Sequence, residues 1–94
     1  MKVKNIICIP RVTEKNWGKH GVEKHEIEEV FRENPRIFFA EKGDIPGENL
    51  YNALGKTDSG RFLVVFFVFK INKDAFIISA RDMEPKEKRR YAKK

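Results

Sequence analysis

Two histidines, two strand-end arginines and a cationic tail carry most of the chemistry that this chain of 94 residues could perform. His20 stands directly before Gly21, and its imidazole, with an ordinary pKa of about 6.5, can give and take protons near neutrality. At the end of a helix the backbone dipole would favour its protonated form. The competing use is packing on the core or bonding the last helix carbonyls. His25 lies in a glutamate-rich stretch and reads as a solvated side chain. Arg61 and Arg81 sit at opposite ends of two neighbouring apolar segments. If those segments pair as a hairpin, the start of one and the end of the other come level. Both planar guanidiniums then arrive at one edge of a sheet, where a fork of N–H donors suits a phosphate. An ion pair with Glu48 or Asp82 is the alternative use of either. The last segment carries Lys86, Lys88, Arg89, Arg90, Lys93 and Lys94, a run that would bind phosphates without regard to sequence and more weakly in salt. Tyr91, four residues after Glu87 and so on the same helix face, can stack on a base or anchor the helix to the core.

Composition removes several classes of function. The only cysteine, Cys8, excludes an internal disulfide and a zinc site built on cysteine pairs. His20 and His25 are five apart with no second motif to join them, so no metal or other cofactor is expected. The longest apolar run, 62–69, has 8 residues, against about 18 for a membrane-spanning helix. The start is cationic, but residues 5–10 are too short and too soon broken for a secretory signal. The expectation is a reduced, cytoplasmic, unprocessed protein. With 40% hydrophobic and 36% charged residues, residues 1–94 read as a single soluble domain. Net charge is +6 and unevenly spread: +4 over residues 1–20, −2 over 21–80 and +4 over 81–94. A fold that joined the two ends would present a basic face to a polyanion such as RNA, DNA or an acidic protein.

Residues 3–9 are apolar and β-branched, a strand or a strip of chain packed on the core, ended by Pro10. Thr13 is a good N-cap for a short helix over 13–20, and Gly21 suits the left-handed residue that follows a helix. A second helix over 23–33 places Ile27, Val30 and Phe31 on one face, and Asn34-Pro35 stops it. Four strands follow over 36–40, 50–56, 61–70 and 75–80. The turn tetrapeptide 57–60 precedes the third, whose continuous apolar character marks it as central and buried on both faces. Pro85 opens a C-terminal helix. The order predicts an α+β fold.

These residues fall in a pattern. Lys19-His20-Gly21-Val22 precedes Glu28-Glu29-Val30-Phe31; Gly47-Glu48 precedes Ala53-Leu54-Gly55; Gly60-Arg61 opens an apolar strand; Ile78-Ser79-Ala80-Arg81 and then Glu87, Arg89, Arg90 and Tyr91 complete it. The succession, from about residue 12 to 91, resembles the BrnT family, the toxin half of a bacterial type II toxin–antitoxin pair. The resemblance implies a RelE-like fold, with N-terminal helices and a C-terminal helix packed on a four-stranded antiparallel sheet. It also implies RNA cleavage that slows translation, and a tightly bound antitoxin, usually of ribbon-helix-helix type, in a toxin–antitoxin heterotetramer. The sequence departs from the family pattern in three places. The N-terminal segment lacks the usual Trp-Asp-x-x-Lys opening, Asn49-Leu50-Tyr51 follow Gly47-Glu48 where many members place an arginine, and Glu84 replaces a Ser or Thr cap.

Cutting RNA without a metal needs a base for the ribose 2′-OH, a cation at the phosphorus centre and an acid for the departing oxygen. The catalytic candidates are His20, Glu48, Arg61 and Arg81, with Glu48 as a base or as the group that orients a cation. Glu48 as a plain loop carboxylate is the competing reading. Lys19, Lys88, Arg89, Arg90 and Tyr91 are the candidates for RNA binding. Trp17 and the eight phenylalanines are assigned to the core. Against the ribonuclease stands a basic RNA- or protein-binding module with no turnover. A DNA-binding role lacks a basic recognition helix, since 23–33 is acidic.

Overall fold

Phenylalanine, valine and leucine fill Phe62–Phe69 without interruption, and such a segment is stable only where both of its faces are covered. In a computed structural model, which describes residues 2–8 and 21–93, this strand (β4) is the middle of a five-stranded sheet. The others are β1 (Asn5–Ile7), β2 (Arg36–Glu41), β3 (Leu50–Lys56) and β5 (Asp74–Asp82), in the order β1-β5-β4-β3-β2. β2 to β5 form the expected antiparallel meander. The expected four-stranded antiparallel sheet needs correction, because β1 joins its edge in parallel, with Asn5 opposite Asp74. The outer edge of β5 would otherwise leave N–H and C=O groups unpaired. β1 covers the first part of that edge, Asp74–Phe76, helped by the Lys4 N–H donating to the Lys73 carbonyl (2.8 Å) and Asn5 Nδ2 to Asp74 Oδ1 (3.0 Å).

Two helices are described, α1 (Lys24–Arg32) and α2 (Pro85–Ala92). The expected helix over 13–20 lies outside the described residues. Gly21 does adopt the left-handed conformation expected of it, with φ 65°. α1 begins where the Glu23 N–H donates to Glu26 Oε1 (3.1 Å), and it buries Ile27 and Val30. With Val22 these pack on Leu63, Val65 and Phe67 of the central strand to make the main core. Gly55 of β3 permits that approach: a Cβ there would lie 2.7 Å from Val30 Cγ1. The opposite face of the sheet carries a smaller cluster, Leu54, Val64 and Met83, with Phe38, Phe62, Phe66 and Tyr91 around it. α2 covers one end of that face and has no buried residue of its own.

A bulge in β5 decides which side chains reach which face. Phe66 pairs with Ser79 but Phe67 with Ile77, so Ile78 is the extra residue. A one-residue insertion exchanges the two faces beyond it. Ala75 and Ile77 therefore share the α1 face with Ala80, while Phe76, Ser79 and Arg81 share the other.

Candidate nucleic-acid interface

Arg81 lies near the end of β5, opposite Val64, and its guanidinium is held by the first turn of α2. Nη1 and Nη2 donate to Glu87 Oε1 and Oε2 at 2.8 and 2.9 Å, the parallel fork of an arginine on a carboxylate. The same Glu87 Oε1 accepts the Glu84 N–H at 2.8 Å, which is how a helix begins without a Ser or Thr cap. Burial alone would raise the Glu87 pKa, but the hydrogen bonds from Arg81 and the Glu84 backbone hold it below the ordinary glutamate value. Arg81 is in turn kept firmly charged, chiefly by its hydrogen bonds to Glu87. Its guanidinium also lies over the Phe66 ring, 5.4 Å from the centroid.

α2 adds cations to this face. Arg90 lies over Phe38 at 3.7 Å and Lys88 over Phe62 at 5.7 Å, and Arg89 is exposed. Tyr91 packs edge-on against Phe62, centroids 6.1 Å apart, so it anchors the helix. Lys56 approaches Phe62 from β3 at 5.6 Å. The described part of the N-terminal basic segment does not join these cations. Lys2 and Lys4 lie beside Asn72 and Lys73, at the far end of β5 from α2.

Arg61 reaches the same end of the sheet as Arg81, as the hairpin requires, but the opposite face. Its Nε and Nη2 donate to Asp82 (2.7 and 3.2 Å), and Nη1 donates to the Gly21 carbonyl (2.8 Å) and to Glu26 of α1 (3.2 Å). The Asp82 hydrogen bonds keep it charged. In an unbulged hairpin Arg81 would stand opposite Leu63 and share the α1 face with Arg61; the extra residue Ile78 separates them. Glu48 does not come near either arginine. Antiparallel pairing carries the start of β3 to the end of β4, where Lys70 Nζ donates to Glu48 Oε1 at 2.6 Å. Along an extended strand Lys70 is about 30 Å from Arg61, so Glu48 and Arg81 cannot touch one phosphodiester. Lys19 and His20 lie outside the described residues. No three His, Cys, Asp or Glu side chains among the described residues are grouped to hold a metal, and no described helix is long and apolar enough to cross a membrane.

Glu87 is the residue that sequence reasoning passed over. It stood in the motif without a role, although its place three residues after Glu84 and six after Arg81 marks it as both cap and counterion. The arrangement as a whole is an anion-binding group, Arg81, already ordered by a carboxylate and set among aromatic rings and cations. Such a group can bind a phosphodiester and stabilise charge that develops on it.

A comparison with curated proteins finds no match. A family described as "Ribonuclease toxin, BrnT, of type II toxin-antitoxin system" matches residues 11–87, a span holding both arginines, Glu87 and every strand except β1. RNA as substrate and a cognate antitoxin as partner come with that family. On this match the chain belongs to the BrnT family of ribonuclease toxins of type II toxin–antitoxin systems.

Proposed function

We propose that the protein is a RelE-like, metal-independent endoribonuclease of the cytoplasm that halts translation by cutting RNA on the α2 face of the sheet. The bidentate Arg81–Glu87 pair carries this reading. A phosphate presents two oxygens much as a carboxylate does, so a scissile phosphodiester can replace Glu87 in the Arg81 fork. Arg81 then stabilises the charge that builds at the phosphorus centre. Glu87, released from the cation that kept its pKa low and left in its part-buried setting, becomes a better base for the 2′-OH. His20, next in sequence to the Gly21 that Arg61 holds at this same end of the sheet, reaches round that end to transfer the other proton. Lys19, Lys88, Arg89 and Arg90 hold the RNA backbone, and Tyr91 fixes the helix that carries most of them. Arg61 joins α1 and the Gly21 carbonyl to the end of β5, and Glu48 has no part in the chemistry. A ribbon-helix-helix antitoxin covers the basic face in a toxin–antitoxin heterotetramer.

Single-turnover cleavage at saturating RNA tests the mechanism, with melting curves as the control on folding. Arg81→Ala is expected to slow cleavage about 10²–10³-fold, the loss typical of one charge-stabilising donor. His20→Ala is expected to slow it about 10²–10⁴-fold and to remove the pH dependence near 6–7. If both variants fold and cleave like the parent, the site is elsewhere. If the parent binds RNA and never cuts it, with ribosomes or without, the protein is a binding module.

A further inference from the structure

The face that α2 half covers contains a row of partners in register across the sheet: Phe38 on β2, Asn52 on β3, Phe66 on β4 and Ser79 on β5. Paired residues point to the same side of a sheet, so Asn52 stands between two phenyl rings. A guanidinium lies over each ring, Arg90 over Phe38 and Arg81 over Phe66. Asn52 Oδ1 is buried with no hydrogen-bond partner, and an orphaned buried acceptor is costly to keep. A leucine of similar size would fill the position without that cost. All five cation–ring pairs among the described residues fall on this one face, the other three being Lys56 and Lys88 over Phe62 and Lys70 over Phe76.

We propose that Phe38, Asn52 and Phe66 form a subsite for one RNA base beside the phosphate held by Arg81. This rests on the ribonuclease reading of the α2 face and adds to it the recognition of a particular chemical class of base. Flat cations now occupy the ring faces where a base would stack, and a base can take such a place because it too presents a π-face. RNA phosphates draw Arg81 and Arg90 outward, which uncovers the rings and the oxygen between them. The buried acceptor then takes a hydrogen bond from an exocyclic amino group. Adenine, cytosine and guanine have one; uracil carries a carbonyl oxygen where cytosine has its amino group, and its N3–H lies one position further round the ring, so in the same stacked pose uracil sets an acceptor against the Asn52 oxygen. Asn52 is in this account a specificity residue and takes no part in bond breaking.

The test measures binding apart from cleavage. Fluorescent 2′-O-methyl oligonucleotides, which have no free 2′-OH to attack, are titrated at low salt as oligo-A, oligo-C and oligo-U. The parent is expected to bind oligo-A and oligo-C about 3- to 10-fold more tightly than oligo-U, the range of one net hydrogen bond. Asn52→Leu should abolish that preference, keep the affinity for oligo-U and melt no lower than the parent. Phe66→Leu, which keeps an apolar side chain in place, should weaken all three by about 10-fold or more through lost stacking. Preference that survives Asn52→Leu overturns the proposal. So does a Phe66→Leu variant that binds RNA like the parent while losing affinity for the antitoxin, since the face would then belong to the protein partner. A parent that shows the preference but cannot cut unmodified RNA supports the subsite and removes the catalytic reading instead.

Discussion

Glu87 serves two neighbours at once, closing the Arg81 fork and capping its own helix. Glutamine at this position keeps a carbonyl oxygen for the cap but loses the charge. Glu87→Gln should therefore cost about 1.5–3 kcal/mol at pH 7, the scale of hydrogen bonds to a charged group. The pH dependence has a definite sign. The folded carboxylate holds its proton less tightly than the unfolded one. Its contribution is complete above the ordinary glutamate value of 4.5 and is lost as pH falls through the lower folded value. Thermal melts of parent and Glu87→Gln should differ at pH 7 and converge in acid; a constant gap down to pH 3 would contradict the pairing. At this scale the sequence was partly legible. It brought Arg61 and Arg81 to one end of the sheet, because a hairpin demands it. It did not show that Ile78 would be inserted between paired positions, and a single inserted residue moves Arg81 to the other face. Glu48 was misplaced for a simpler reason: motif order along the chain says nothing of which strand ends antiparallel pairing makes adjacent.

Among the elements, α1 is fastened to the sheet at several points. Its Val30 sits on Gly55, the Asp58 N–H donates to Glu29 Oε1 (3.0 Å), and Arg32 pairs with Asp58 (3.3 Å). Gly55→Ala forces a methyl into the space that Val30 fills, and it should destabilise by about 1–3 kcal/mol, the usual cost of overpacking. Denaturant unfolding should show a lower midpoint with an unchanged slope; equal stability would mean that the helix can shift outward freely. Both helices, the meander and its central strand were legible, because apolar periodicity and Pro, Gly and Asn punctuation are local signals. β1 was not. A strand of 3 residues carries little periodicity, and its partner lies 69 residues away, so only the completed sheet specifies the pairing.

For the whole molecule, a net charge of +6 should speed the approach of an acidic antitoxin or of RNA, and salt should slow it. The exposed cations of α2 supply much of that effect at the interface. Replacing Arg89 and Arg90 together by alanine should weaken RNA binding and flatten the plot of log affinity against log salt by roughly two counterions. An unchanged slope would place the RNA on another surface. The sequence foresaw two basic ends but not that the described part of the first, Lys2 and Lys4, stands apart from the second. With β1 parallel to β5, Lys2 and Lys4 enter at the hairpin that starts β5, and α2 leaves from its far end.

The parallel edge pairing of β1 also bears on how a harmful protein is made. Asn5–Ile7 are synthesised well before Asp74–Phe76, the residues with which they pair. The sheet of a growing chain therefore stays open along this margin until the start of β5 has been made. Arg81 follows Phe76 by five residues, and Glu87 follows Arg81 by six. A chain released before residue 81, by a nonsense codon or a stalled ribosome, lacks the arginine on which the proposed cleavage depends. Products that stop short of Arg81 should therefore be harmless and leave the antitoxin nothing to neutralise.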